Sequence, residues 1–407
     1  MHTHTFKIFF ICIFTHLMLF PFQIWGFGQN KVQYTPLTWS VSASKHFNVY
    51  FHQNLNTLPE ISNRWIEDSY VSLSKSFGFS HKKPIPLIIY GNPTLFAQTN
   101  IISEILPDGV GGFTEFFKTR IAIPFNGSYN ELRHVLHHEL VHAFIFGMMF
   151  DQFGGSLFND LQIPLWFNEG LAEYLSSGWN TEADMFMLEQ TLNSTVPLPG
   201  PHLSGYMAYK GGQSFLFFLH SSRGDTAFAQ FLREFRKSRN VSNSMEKIYK
   251  KPLEALGKEW QKELKRLYWP EIGKREDPLK ISKAVTSHIK DRDHFNLRPK
   301  LSPDGSKIAF YSDRRDYTRI LITDRKGKII QEISQNGYGG FFESFHPFRS
   351  GMCWSPDGTS LAFISDNKGT DEIRIVDIIN KKLKKRISTG VQNISSPNWS
   401  ADGNYLT

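Results

Sequence analysis

Cysteine is nearly absent, because the 407 residues include only Cys12 and Cys353. Cys12 lies in an N-terminal segment that we expect to be removed, so the mature protein cannot form an internal disulfide. Low-complexity tracts are also absent, and 40% hydrophobic against 21% charged residues is the balance of a globular protein. The fold must therefore rest on hydrophobic cores, with a bound metal as a further source of stability. The length suits two or three domains.

The chain lacks an arginine-rich or aromatic-rich nucleic-acid motif, although its net charge is +8. The positive charge is concentrated in residues 247–290, where lysines alternate with glutamates and leucines at helical spacing. Such a run is typical of a solvated helix face. We therefore predict no nucleic-acid partner.

Residues 1–28 have the pattern of a signal peptide. A lysine precedes the apolar run IFFICIFTHLMLFPFQIWGFG (residues 8–28), and Gly26 and Gly28 provide the small side chains that a signal peptidase requires. An uncleaved anchor is the alternative, since residues 8–25 approach the length of a membrane span. Pro21 and two polar residues interrupt this run and favour cleavage, which would leave no stable membrane span. Either way the rest is exported: periplasmic or secreted, or anchored outside the cytoplasm.

The remaining chain divides into two parts of different texture. In residues 29–272 short β-type runs, such as PIPLIIYG and TRIAIPF, give way to helical patterns, such as DTAFAQFLREFRKS and LEALGKEWQKELKRLYW. Residues 273–290 form a polar, proline-containing linker, and residues 291–407 are repetitive. The sequence thus predicts an α+β domain, a linker and a β-rich repeat region.

The repeat is carried by LSPDGSKIAFYSD, WSPDGTSLAFISD and WSADGNYLT, whose aspartates Asp304, Asp357 and Asp402 are 53 and 45 residues apart. Proline presets φ and glycine accepts positive φ, so each Ser-Pro-Asp-Gly predicts a tight turn between strands. The repeats resemble those of Tol-type periplasmic β-propellers, which implies two blades and the start of a third. A propeller needs roughly four to eight blades, so we expect a truncated form of a longer protein. The resemblance also implies a protein partner on the propeller.

A metal-type motif lies in NELRHVLHHELVHAFIFG (residues 130–147). Ser128 and Glu131 form a capping-box pattern that starts a helix near residue 129. His138 and His142 project side by side one turn apart, where two imidazoles can share one metal ion. Glu139 lies beside them, in position for a general base. This is the His-Glu-x-x-His zinc-protease pattern.

Two alternatives concern the other histidines. A helix with surface histidines would explain the pattern without a metal, but the surrounding leucines, valines and phenylalanines predict a buried helix. His134 stands one turn before His138 and could compete as a ligand, although packing or a hydrogen bond is the favoured role. His137 lies on a different face, and we predict a structural role for it.

A second motif follows in IPLWFNEGLAEYLSSG (residues 163–178), where Glu169 and Glu173 are one turn apart on a helix that ends near Gly178. A catalytic zinc takes three protein ligands and keeps one position open. Together the motifs resemble the gluzincin, or peptidase-MA-like, zinc metallopeptidases with a thermolysin-like domain. The resemblance implies that His138, His142 and Glu169 hold Zn²⁺. Glu173 either orients a histidine ligand or has a role at the outer surface.

Further stretches agree with this resemblance. GVGGFTEFFKTRIAIPF (residues 109–125) resembles the substrate-pairing edge strand, with Gly111 and Gly112 as substrate-binding residues. YMAYKGGQSFLFFL (residues 206–219) resembles the tyrosine-containing helix. Tyr209 is the first candidate for stabilising the oxyanion, and Tyr206 and His202 are alternatives.

Two departures qualify the resemblance. The spacing between the motifs is longer than in the aminopeptidases of this family, which predicts an inserted loop, GMMFDQFGGSLFND (residues 147–160). The Gly-x-Met-Glu-Asn stretch that holds the substrate amine in those enzymes is missing, so an endopeptidase is favoured.

The sequence therefore predicts an exported zinc metallopeptidase that hydrolyses peptide bonds of a peptide or protein substrate, with Glu139 as general base. The alternative is a non-catalytic protein that consists of a zinc domain and a propeller and takes part in protein interactions in the cell envelope. The intact Glu139 argues against this alternative, because a purely structural zinc site has no need of a general base.

Overall fold

The computed structural model describes residues 30–407, except residues 54, 56, 108, 151–162, 277, 338–339 and 392. The predicted signal peptide and most of the predicted inserted loop lie outside these residues. Within the described part of the chain, no helix combines the length and the apolar character that a membrane crossing requires.

The first part contains a five-stranded sheet in the order β1-β2-β3-β5-β4. Its strands are β1 Trp39–Ala43, β2 Phe47–His52, β3 Ile85–Tyr90, β4 Phe113–Thr114 and β5 Ile121–Pro124. The three central strands run parallel, and β1 and β4 pair antiparallel at the two edges. The short strand β4 therefore has one edge without a neighbouring strand in this sheet.

Helices cover this sheet and build most of the core. They are α1 Leu58–Phe77, α2 Pro93–Ala97, α3 Tyr129–Phe150, α4 Leu165–Ser177, α5 Thr181–Leu192, α6 Tyr206–Ser238, α7 Val241–Tyr249 and α8 Leu253–Ile272. Large apolar side chains such as Phe144, Trp166, Phe215 and Trp260 are fully buried between them. The mixed architecture confirms the predicted α+β class.

The helix α3 is longer than the sequence predicts, because it continues to Phe150 where a loop was expected from residue 147. Gly147 does not break the helix. A Cβ atom at this position would collide with the ring of His81, so glycine permits the close approach of that ring. The first four residues of the predicted insertion are thus helical.

The predicted linker contains two one-turn helices, α9 Pro278–Ile281 and α10 His288–Asp291. Two antiparallel sheets follow. Their strands are β6 Asn296–Leu301, β7 Lys307–Ser312, β8 Arg319–Asp324 and β9 Ile329–Ile333 in one sheet, and β10 Ser344–Phe345, β11 Met352–Trp354, β12 Ser360–Asn367, β13 Thr370–Asp377 and β14 Lys382–Ser388 in the other.

The repeated motif forms equivalent turns in the two sheets. Gly305 and Gly358 have φ of 67° and 69°, which is the left-handed conformation that glycine adopts without strain. The aspartates Asp304 and Asp357 each accept a hydrogen bond from the backbone N–H two residues later, at 3.0 Å. The core of these sheets runs from Ala309 to Ile378 and is separate from the core of the first part. A propeller, and boundaries at residues 272 and 290, stay predictions.

Candidate active site

The helix α3 carries its titratable side chains into the interior. It begins where the Ser128 hydroxyl accepts a hydrogen bond from the Glu131 N–H at 3.3 Å, although the Glu131 carboxylate turns to Asn126 and leaves the capping box half formed. His138 and His142 are 8% and 6% exposed. A helix with surface histidines therefore does not describe this site.

The residues His138, His142 and Glu169 converge on one point. Oε2 of Glu169, on α4, lies 3.4 Å from Nε2 of His138 and 3.3 Å from Nε2 of His142. Ligands about 2.0–2.1 Å from a tetrahedral zinc stand about 3.4 Å from one another. The two measured separations match this value, so the donor set fits zinc in both chemistry and spacing.

The charge balance of the centre also suits a cation. Burial opposes the protonated form of His138, but the carboxylates of Glu169 and Glu173 outweigh it and raise its pKa. Burial likewise opposes ionisation of Glu169, and the two histidines outweigh it and lower the pKa of that carboxyl. The surrounding carboxylates thus favour a positive charge at this point, and a metal ion must compete with protons for these donors.

A second group of possible ligands is formed by His134, His138 and Glu173. Oε1 of Glu173 lies 3.2 Å from Nδ1 of His138 and 3.6 Å from Nε2 of His134. The ammonium group of Lys210 lies 2.8 Å from the other carboxylate oxygen. This buried cation already neutralises Glu173. The Glu173 carboxylate is therefore better suited to orient His138 than to bind a second metal ion. Glu173 is 6% exposed, which excludes a role at the outer surface.

The other histidine on α3 has a different environment. Burial, followed by the charges of His134 and His138, lowers the pKa of His137 to about 4. His137 is therefore neutral at physiological pH and belongs to neither group of possible ligands among the described residues.

Glu139 stands beside the three converging donors and is 5% exposed. The Thr114 hydroxyl, on β4, lies 2.8 Å from both the backbone carbonyl oxygen and Oε2 of Glu139. This contact fixes the carboxylate against the edge strand and leaves its second oxygen for a proton. A cavity of about 680 Å³ opens in front of these groups.

The cavity brings together most of the residues that the sequence singles out. Those that line it are Gly111, Gly112, His134, His138, Glu139, His142, Glu169, Glu173, Tyr206 and Tyr209. Gly112 allows the edge segment to approach α3, because a Cβ atom there would lie 3.0 Å from Val135 and 3.2 Å from Cγ of Glu139. The two glycines are thus placed where an extended substrate would run.

The three oxyanion candidates have different surroundings. The ring of Tyr209 stacks against that of His138 with centroids 6.4 Å apart, and burial together with nearby carboxylates raises its pKa. Tyr209 therefore keeps its proton and can donate a hydrogen bond. Tyr206 donates its hydroxyl to Glu182. His202 is exposed and is not among the described residues that line the cavity.

The sequence motifs include no role for Thr114 or Lys210. Lys210 had a weak signal, because it is a lone charge within the apolar stretch YMAYKGGQSFLFFL and was therefore a candidate for a buried ion pair. Thr114 had none, since only the fold brings β4 against α3.

Backbone contact between α4 and α6 positions Glu169. A Cβ atom on Gly212 would collide with the carbonyl oxygen of Trp166, and one on Gly170 would collide with the backbone of Gly212. We expect Gly212→Ala to force the helices apart, to destabilise the fold by about 1–3 kcal/mol and to lower zinc occupancy. Thermal unfolding and metal analysis measure both effects. Gly200→Ala is the control, since a Cβ atom there meets nothing closer than 4.0 Å; equal behaviour of the two variants would contradict this account.

Lys210→Met tests the support of His138. Removing one partner of a buried ion pair costs about 3–5 kcal/mol, and loss of an outer partner of a metal ligand weakens metal binding about 10–100-fold. We therefore expect lower stability together with weaker zinc binding, measured by denaturant unfolding and competition with a chelator. Lys258→Met removes an exposed partner of Glu254 and should change neither quantity. If Lys210→Met binds zinc with the wild-type affinity, Lys210 does not support the metal centre.

The chain is similar to a curated protein and to solved structures. An uncharacterised protein of Agrobacterium fabrum is 27% identical over 135 residues, which are 31% of this chain and 43% of that protein. The match thus spans less than half of the relative's length.

Among solved structures, yeast LTA4 hydrolase is similar at 15% identity and a TM-score of 0.34, over 54% of this chain and 38% of that one. TolB from Acinetobacter baumannii is similar at 26% identity and a TM-score of 0.23, over 30% of this chain and 28% of that one. Scores of this size do not establish a shared fold. The family model of the Peptidase MA superfamily matches residues 66–266, and the segment that carries both the His-Glu-x-x-His and the Asn-Glu-Gly motif is therefore similar to that superfamily.

Proposed function

We propose that this protein is an exported zinc metallopeptidase that cleaves peptide bonds inside peptide or protein chains. The observation that carries the proposal is the convergence of His138, His142 and Glu169 at the spacing of zinc ligands, with a buried carboxylate beside them. The match of residues 66–266 to the Peptidase MA superfamily supports the same class.

Zinc, when bound by these three side chains, supplies Lewis-acid chemistry that polarises the peptide carbonyl and acidifies a water molecule. Glu139 is placed to accept a proton from the attacking water and to return it to the leaving amine. Thr114 holds the Glu139 carboxylate in place. Tyr209 keeps its hydroxyl proton and donates it as a hydrogen bond to the oxyanion.

The edge strand β4 and the segment before it bind the substrate backbone in this proposal. Gly111 and Gly112 line the cavity and precede β4 directly, so an extended peptide can pair with this edge by β-addition. Gly112 lets this edge segment pack closely against α3, beside Glu139.

Internal cleavage is favoured over removal of an N-terminal residue. An aminopeptidase needs a carboxylate to hold the substrate amine. Among the described residues that line the cavity, the carboxylates are Glu139, Glu169 and Glu173. The first is the proposed base, the second a metal ligand, and the third is neutralised by Lys210, so none of them is left for an amine.

Export rests on the pattern of residues 1–28 and a protein partner rests on the repeats; both stay expectations. The proposal is tested by exposing the zinc-loaded protein to a peptide library and identifying the cleaved bonds by mass spectrometry. Internal cleavage that a chelator abolishes supports it. Bound zinc with no cleavage of any peptide or protein would favour the non-catalytic binding protein instead.

A further inference from the structure

We propose that Phe348, from the C-terminal sheets, forms an aromatic wall of the substrate cleft and selects peptides with a large apolar side chain at one position away from the scissile bond. This inference rests on the proposed function and adds a selectivity element from outside the segment that matches the Peptidase MA superfamily.

Phe348 lies more than 170 residues after the metal ligands in sequence, yet it lines the same cavity as His138, His142 and Glu169. Its ring packs against Gly109, where a Cβ atom would stand 3.4 Å from two ring carbons. Gly109 has a φ of 93°, so glycine is required there for its conformation as well. The ring therefore closes the cavity at the start of the edge segment.

The position of Phe348 is fixed by its own sheets. The Arg298 guanidinium donates a hydrogen bond to the Phe348 carbonyl oxygen at 2.6 Å, and the ring of Phe295 lies 5.4 Å away in an edge-on arrangement. The side chain of Phe348 nevertheless stays 47% exposed. Phe348 can thus be in contact with a molecule in the cavity that it lines.

A second contact holds the sheets beside the first part of the chain. The Tyr34 hydroxyl donates to Oε1 of Glu343 at 3.2 Å. A Cβ atom on Gly369 would stand 3.2 Å from the ring of Tyr34 and would overlap the side-chain amide of Gln98. Contacts at Gly109 and at Tyr34 therefore hold the sheets that carry Phe348 against the first part of the chain.

The cleft next to this wall is apolar. Val110, Phe113 and Val135 line it, and Phe146, whose ring stacks on His142 at 6.1 Å, lies at its metal end. Phe348 and Phe146 thus offer aromatic surface at two different places in the cavity. An apolar side chain is the substrate group that such a lining favours.

The order of residues along the edge segment places Phe348 away from the scissile bond. Thr114 contacts Glu139, whereas Gly109 contacts Phe348. Thr114 stands five positions after Gly109, which is at most about 18 Å of extended chain. A peptide paired with this edge would therefore meet Phe348 a few residues from the bond that is cleaved.

The test uses the 407-residue chain with Glu139→Gln, so that peptides bind without turnover. The probes are alanine- and serine-based peptides with a single phenylalanine at each position in turn, and their affinity is measured by calorimetry with zinc bound. We expect phenylalanine at one position of the peptide to strengthen binding. Phe348→Ala should weaken the binding of that peptide about tenfold. Phe348→Leu should retain part of the gain in affinity, and zinc content should not change.

Phe341→Ala is the matched control, because Phe341 is an exposed aromatic residue of the same sheets that does not line the cavity. Equal affinities for all peptides in Phe348→Ala and in its parent would overturn the inference, as would an equal loss for all peptides. Failure of the proposed function is a separate outcome, because it appears as absent cleavage in the protein with Glu139 intact and does not affect this binding comparison.

Discussion

Glu139→Gln is expected to keep its zinc and its fold while the kcat/KM for peptide cleavage falls about 10²–10⁴-fold. The amide has the shape of the carboxylate, and its oxygen can still accept the hydrogen bond of Thr114, so the buried contacts of α3 persist. It cannot accept the proton of the attacking water. Steady-state kinetics together with metal analysis of the same preparation measure both effects.

The control for this variant is Glu131→Gln, which makes the same change on the same helix. Glu131 is exposed, and its carboxylate accepts a hydrogen bond from Asn126. Its replacement should leave both cleavage and zinc content unchanged. Cleavage at the wild-type rate by Glu139→Gln would show that Glu139 is not the base.

His142→Ala is expected to lose zinc and, with it, peptide cleavage. The substitution removes one of three ligands, so the loss should exceed the effect of an outer partner and reach at least about 100-fold in affinity. Dialysis against a chelator followed by metal analysis measures it. His202→Ala, at an exposed residue outside the cavity, should retain zinc. Unchanged zinc in His142→Ala would refute the assigned ligand set.

The sequence predicts the elements of this site well where local interactions decide the structure. The helix α3 begins at the residue after Ser128, whose hydroxyl caps it, and α4 ends at Ser177, directly before the glycine that the pattern marks as its end. Within each helix the ligand positions follow from helical geometry alone. The prediction that the ligands of both helices meet at one point rests on the resemblance to zinc peptidases.

The features that the sequence did not reveal depend on distant contacts. The spacing between the two motifs predicts a loop from residue 147, but α3 continues past this point, and the ring of His81, far away in sequence, explains why glycine stands within α3. Lys210 pairs with Glu173 from another helix, and Phe348 reaches the cavity from another part of the chain. No periodicity or spacing announces such contacts.

The central claim is that His138, His142 and Glu169 bind a zinc ion that this protein needs for peptide hydrolysis. The most direct test is to remove metal from the purified 407-residue protein and to titrate zinc back while internal peptide cleavage is recorded. The account predicts no cleavage without metal and a rise that ends when about one zinc per chain is bound. Cleavage that does not depend on zinc, or a fully loaded protein that cleaves nothing, would contradict it.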